Sequence, residues 1–454
     1  MKFNPVTQSS FPLPFLTLLI GLLLPFYAEA IPQIQEQSLP NGVRVLLVEA
    51  HNIPMVSMQI TLPAGSRFDQ HGKGGSASLL AEMLTDHTAL HDDKQWALWL
   101  DSEAMRIGSG ADRDTLQLSM TVLRESLGTG IQAVSEALLH PGWKQQRFDL
   151  IRKNAVDGAT KALEDPGTQT AEATASLLYA DHPYGHRSPG TAESLARIQL
   201  PDLQRLYSEQ IKPQGSVIAI SGDTTMQEII SLLQPRLKDW VGVPSVAAMA
   251  IAEPPLVLGQ NNQISMPTSQ VQLQYSRLGI ARSSKDFFPL FVLNHILGGG
   301  GFGSRLMEEV REKRGLVYGV YSYFMPLLAP GPFIISLQTK ASQADDADLV
   351  VRDVLDQMRH GAITEKQLSD SKKNLIGSFA QRLDSNRERV GLIGMIGFYH
   401  LPLDYLQQWV EQVNAVSLAN VKIIAQDWLD PDAWNLVETG PYSIANPSHR
   451  SIKP

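Results

Sequence analysis

Residues 115–123 alternate strictly, with Leu116, Leu118, Met120 and Val122 on one side and Gln117, Ser119 and Thr121 on the other. A period of two with one apolar side predicts a half-buried strand, in a sheet with one covered face. β-Branched and apolar runs predict further strands over 43–49, 55–62 and 216–221. Apolar positions at helical spacing predict helices over 73–85, 93–104, 125–139, 144–163 and 168–179, and another in the stretch before Pro213.

The pattern then repeats. Leu200 corresponds to Leu418, Pro213 to Pro431 and Gly222 to Gly440, at a constant separation of 218. Earlier in the chain VSMQI at 56–60 corresponds to VQLQY at 271–275, and LLAEML at 79–84 to VLNHIL at 292–297. A drift of a few residues means small loop changes between two copies of one domain. Between them, residues 241–258 are rich in Val, Ala and Pro and poor in charge, which reads as a linker. The expected organisation is therefore α+β: a domain over 31–240, the linker, and a homologous domain over 259–454. Each is expected to be a mostly antiparallel sheet with helices on one face, the two enclosing a cleft.

The stretch most suggestive of chemistry is LGGGGFGSRLMEEVREKRGLVYGVYSYF at 297–324. Gly298, Gly299, Gly300 and Gly301 permit close backbone approach or a moving chain. Ser304 is placed to cap a short helix, with Glu308 and Glu309 in its early turns. Arg311 and Tyr318 should then lie near one another beside that backbone. The run lacks the Gly-Lys-Ser/Thr ending of a phosphate loop, and no Gly-x-Ser-x-Gly occurs anywhere in the chain.

Composition narrows the setting. Of 454 residues 43% are hydrophobic and 19% charged, as in an ordinary globular protein, and the net charge of −8 gives no reason to expect nucleic acid. Lys2 is the only charge before Glu29, an apolar run covers 11–26, and Ala28-Glu29-Ala30 suits cleavage, so residues 1–30 read as a secretory signal. With no cysteine, the chain has no disulfide, no lipid-attachment site and no Cys-based metal site or nucleophile. The periplasm of a Gram-negative host is the expected compartment.

Several histidines invite a metal reading. His87 and His91 have zinc-ligand spacing for a helix, but no Glu follows His87 and Asp92 and Asp93 come next, so a solvated turn is expected. His295 stands alone on an apolar helix and reads as packing, and His182, before Pro183-Tyr184-Gly185, as loop structure.

The 297–324 stretch resembles the glycine-rich loop and Arg/Tyr segment of pitrilysin-type (insulinase, mitochondrial-processing-peptidase-like) zinc peptidases, with Arg311 and Tyr318 at the pair's positions. LPNGVRVLLVE at 39–49, AGSRFD at 64–69, HPYG at 182–185 and the strand ending in Ser221-Gly222-Asp223 extend the likeness to the short bacterial branch. Active members carry His-x-x-Glu-His, two zinc ligands on one helical face with a water-activating Glu between them. Here those positions hold Ser78, Ala81 and Glu82, and the third ligand's position falls on Ala159. The resemblance thus implies a substrate-binding subunit with no metal and no activity of its own. It would pair with a homologous zinc-bearing subunit and bind unfolded peptide through Arg311, Tyr318 and the glycine run. A homodimer is also open, as is a non-enzymatic peptide-binding or assembly protein on the same fold.

Overall fold

The computed structural model describes residues 32–245 and 251–442. The secretory-signal reading of 1–30 lies outside the described residues, as do 246–250 within the segment read as a linker.

The first half contributes β1 (Gln35–Ser38), β2 (Arg44–Glu49), β3 (Met55–Leu62), α1 (Ser76–Asp86), α2 (Asp93–Ser102), β4 (Arg106–Ala111) and β5 (Leu116–Leu123). Then follow α3 (Leu127–Leu139), α4 (Gln145–Ala162), α5 (Pro166–Tyr179), α6 (Ala192–Arg197), α7 (Leu200–Gln210), β6 (Val217–Gly222) and α8 (Met226–Leu237). The second half contributes β7 (Asn261–Ser265), β8 (Gln270–Leu278), α9 (Phe287–Asn294), β9 (Val317–Phe324) and β10 (Pro332–Lys340). It continues through α10 (Ala344–Arg359), α11 (Glu365–Phe379), α12 (Asn386–Phe398), α13 (Tyr405–Ala415), α14 (Leu418–Trp428) and β11 (Asn435–Gly440).

Two sheets result, in the orders β1-β2-β6-β3-β5-β4 and β7-β11-β8-β10-β9. In each, one parallel pair, β2 with β6 or β7 with β11, joins three antiparallel pairings in the same sequence order, and the first sheet adds β1 antiparallel to β2 at its edge. The internal repeat is therefore a repeat of topology. α7 and α14, and β6 and β11, keep the separation of 218 at both ends. β5 alternates as the pattern requires, with Leu116, Leu118, Met120 and Val122 buried against α1 and α3.

Each half keeps its own helices on one face of its sheet, and the other face carries a helix from the opposite half. α12 lies on β2, β3 and β6, while α5 lies on β7, β8 and β11. The exchange explains why β6 and β11 are buried along their whole length. Polar contacts fasten it: Asn386 accepts from Ser221 Oγ at 3.2 Å and donates to the Met55 carbonyl at 3.2 Å, and Thr170 and Thr439 hydroxyls meet at 2.7 Å. The described residues from Gln33 onward accordingly pack as one unit.

At the seam, buried Asp114 accepts from both halves. Tyr184 Oη donates to one carboxylate oxygen; Tyr399 Oη at 3.0 Å and the Leu328 N–H at 2.9 Å donate to the other. Tyr184 belongs to the HPYG loop, where His182 Nε2 also reaches the Ala252 carbonyl at 3.0 Å. Loop structure is thus what His182 provides.

Candidate functional site

α1 carries the positions where a metal helix is expected. Its start is fixed by Asp69, whose buried carboxylate accepts from the Gly75 and Ala77 N–H groups at 2.7 and 2.8 Å and meets His186 Nε2 at 3.2 Å. Burial raises the Asp69 pKa against these bonds. Ser78 donates its hydroxyl to the Ser188 carbonyl at 2.8 Å, tying the helix to the loop after HPYG. Ala81 is buried, and its carbonyl accepts from Ser109 Oγ at 2.6 Å. Glu82 is exposed; partial desolvation, then the neighbouring Asp86, raise its pKa. Ala159 lies on α4 and packs at the margin of the first core. An engaged hydroxyl, two methyl groups and one carboxylate do not fit a zinc ion. Among the described residues no group of three or more His, Asp or Glu side chains is placed to hold a metal.

His87 and His91 need a correction. α1 ends at Asp86, so their spacing does not place them on a helix. His87 is fully buried rather than solvated, with Nδ1 at 2.8 Å from Asp86 Oδ2 and Nε2 accepting from the Lys144 N–H at 3.4 Å. His91 Nδ1 lies 2.7 Å from Glu136 Oε1, and its ring stacks on Trp99 at 4.9 Å. Their neighbours in space, on α2, α3 and α4, were not visible from the local sequence.

The structure brings Arg311 and Tyr318 together. The half-buried Arg311 guanidinium lies 5.4 Å from the Tyr318 ring centre and 4.7 Å from that of Phe302, within cation–π reach of both, and its Nη1 is 3.4 Å from Glu312 Oε1. Tyr318 is 89% exposed and Phe302 71%, so both rings face solvent. Phe302 was not singled out from the sequence, although it interrupts the glycine run.

Backbone irregularities produce the arrangement. Residues His295–Gly299 and Met307–Glu312 are π-helical turns, wider than α-helix and frequent at functional sites. Gly298 sits against β9, where a Cβ would come 2.6 Å from the Ser322 nitrogen. Gly301 adopts φ of 61°, the left-handed turn that lifts Phe302 outward. Ser304 is extended and directly precedes the helical turns, but its hydroxyl donates to the Gly301 carbonyl at 2.7 Å instead of capping a helix N–H. Glu309 braces the second π-turn. Burial would raise its pKa, but hydrogen bonds from Lys313 and Arg314, both at 2.7 Å, outweigh burial and hold it low.

β9 contains a bulge. Val317 and Val320 oppose Thr339 and Leu337, so β9 advances three residues where β10 advances two. Uninterrupted alternation from the buried Val320 would point Tyr318 inward; the extra residue turns it out.

β4, with the sequence RIGSGA, escaped the sequence reading because its small residues carry no apolar period. It is an edge strand packed against α1. A cavity of about 640 Å³ lies over β3, β4 and β5, under the start of α12, and is lined by the polar side of residues 115–123.

Comparison with known proteins places the fold. A family model described as insulinase (peptidase family M16) matches residues 44–185, and one described as peptidase M16 inactive domain matches residues 197–375. A Helicobacter pylori protein named non-peptidase homolog YmxG is 24% identical over 89% of this chain and 93% of its own. A Bacillus subtilis protein named uncharacterized zinc protease YmxG is 24% identical over 88% and 96%. A Pseudomonas fluorescens crystal structure described as a peptidase M16 inactive domain superposes with a TM-score of 0.85 at 32% identity, covering 90% of this chain and 98% of that one. Two family models span most of both halves, and this solved relative matches along nearly its whole length. The chain belongs to the M16 (insulinase) peptidase family, as a homologue whose metal positions hold no zinc-binding set.

Proposed function

We propose that this chain is the non-catalytic, substrate-binding subunit of a zinc peptidase, completing the active site of a homologous zinc-bearing partner. The observation that carries the reading is the exposed stack of Phe302, Arg311 and Tyr318, retained where the chain's own metal positions are empty of ligands. An arginine held against two rings has less freedom to lose, and the N–H groups not turned to Glu312 suit a peptide carbonyl or carboxylate. The Tyr318 hydroxyl adds a donor on a rigid ring, and β9, as a sheet edge, offers backbone groups to an extended peptide. The partner's zinc would polarise the scissile carbonyl. This chain's residues would fix the peptide across from it, a contribution of positioning and of transition-state hydrogen bonding. The apolar N-terminal run supports export, with the periplasm as the working compartment.

Co-expression with a zinc-bearing M16 homologue from the same host tests this reading. The expected result is a one-to-one complex with one zinc per pair that cleaves unfolded peptides, while this chain alone binds no stoichiometric zinc and cleaves nothing. Isolation only as a homodimer that neither recruits such a homologue nor supports cleavage would contradict it and favour a peptide-binding or assembly role.

A further inference from the structure

Arg282 stands in the connection between β8 and α9, its backbone N–H bonded to the Leu327 carbonyl at 2.7 Å. Its guanidinium lies 5.3 Å from the Phe287 ring centre and 5.5 Å from that of Tyr399. Among the described residues it makes no hydrogen bond and no ion pair through its side chain, and its Nε is fully enclosed. Burial lowers its pKa, and the groups that oppose this are phenols, Tyr405 and Tyr399, rather than carboxylates. Arg282 is half-buried, and a guanidinium that faces rings and carries no counter-ion leaves its donors free for an anion.

Arg282 lines a cavity of about 330 Å³ that Arg382 also lines, and no Asp or Glu does. Phe287, Phe291, Phe324 and Leu375 supply apolar walls. Asn294, only 8% exposed, accepts from Ser322 Oγ at 2.8 Å and leaves its Nδ2 without a partner among the described residues. Gly299 keeps that amide uncovered, because a Cβ there would come 2.6 Å from Nδ2. His295 is wall rather than ligand: its ring nitrogens meet Ser371 Oγ at 2.6 Å and Asn374 Oδ1 at 3.1 Å. Asp112 lines the adjoining cavity, which shares Arg282, Phe324 and Pro326, and its carboxylate is taken up by the Asp114 and Thr115 N–H groups at 2.8 and 2.7 Å.

We propose that this cavity binds a monocarboxylate with an aromatic or branched apolar body about the size of one amino-acid residue. The carboxylate takes donors from Arg282, Arg382 and Asn294 Nδ2, and the body packs on the phenylalanine rings. Two cations and an amide with no acidic wall select an anion; the apolar lining selects against a bare inorganic one. Two sources share this chemistry, the C-terminal residue of a peptide and a free small acid. Phe302, Arg311 and Tyr318 do not line the cavity, so it is distinct from the stack described above.

Calorimetric titration of the full-length chain with N-acetylphenylalanine, its amide, and a hexapeptide ending in phenylalanine as free acid or amide tests the site. Both acids, or either one, should bind at least tenfold more tightly than the matching amide. Binding of the hexapeptide acid alone identifies a peptide C-terminus, and binding of N-acetylphenylalanine alone a free acid. Arg282→Gln should weaken binding tenfold or more while the unliganded protein keeps its cooperative melting transition. Arg382→Gln and Gly299→Ala should each weaken binding without loss of fold. Equal binding of acid and amide, displacement by inorganic phosphate at equal concentration, or unchanged affinity in Arg282→Gln and Arg382→Gln would overturn the proposal.

Discussion

Asp114 gathers two phenols and a backbone N–H from three separate segments onto one buried carboxylate. An amide at this position offers one acceptor oxygen and turns an N–H group toward existing donors. Asp114→Asn should therefore cost about 2–3 kcal/mol by denaturant unfolding, the range for a buried group left unsatisfied. Ser78, by contrast, now serves as a strut to the Ser188 carbonyl. Ser78→Ala should cost about 1 kcal/mol of stability and leave any activity of a reconstituted pair unchanged; a loss of activity without a loss of stability would show that the position still does chemistry. At this scale the sequence was informative where chemistry is carried by residue type. The absent imidazoles at 78 and 82 and the seven-residue step from Arg311 to Tyr318 could be read directly. Phe302, Asn294 and Arg282 could not, because their significance lies in which atoms face them.

α1 is held at both ends by carboxylates, Asp69 at its start and Asp86 at its finish. Asp86 meets Arg147 of α4, with Arg147 Nε at 2.9 Å, and His87 Nδ1 at 2.8 Å. Burial alone would raise the Asp86 pKa, but the bonds from Arg147 and His87 outweigh it and place it well below the usual carboxylate range. A depressed folded-state pKa contributes stability that is complete above the unfolded value, about 3.9, and is lost as the pH falls toward the folded value. Asp86→Asn should accordingly destabilise the protein by about 2–3 kcal/mol near neutral pH, and the gap should narrow as unfolding is followed below about pH 4. A constant gap across that range would refute the electrostatic role. Long amphipathic helices and the alternating β5 were legible because a single face of each is apolar. β1 and β4 were not, because one is exposed throughout and the other is built from small residues. The bulge in β9 was hidden for a related reason: its tyrosines, glycine and serine set no clear period, and the pairing with β10 shows the extra residue.

The repeat in the sequence foretold two like halves, and the order of strands bears that out. Their exchange of helices was not legible, because nothing in α5 or α12 marks which sheet each will cover. The exchange has a consequence for cooperativity. Residues 32–245 and 251–454 expressed as separate chains should each lack a covering helix, bind a hydrophobic dye and melt without a sharp transition, whereas the two mixed should regain one cooperative transition. Independent, sharp unfolding of either piece would contradict the packing described.

In the proposed pair, hydrolysis draws its metal from another chain and its peptide grip from Arg311 and Tyr318 of this one. The most direct measurement is kcat/KM for an unfolded peptide in the reconstituted pair carrying Arg311→Ala, with zinc content and complex mass determined on the same sample. The account predicts a fall of about 100-fold, near 3 kcal/mol of transition-state stabilisation, with one zinc per pair and the complex intact. Full activity in that variant would contradict it.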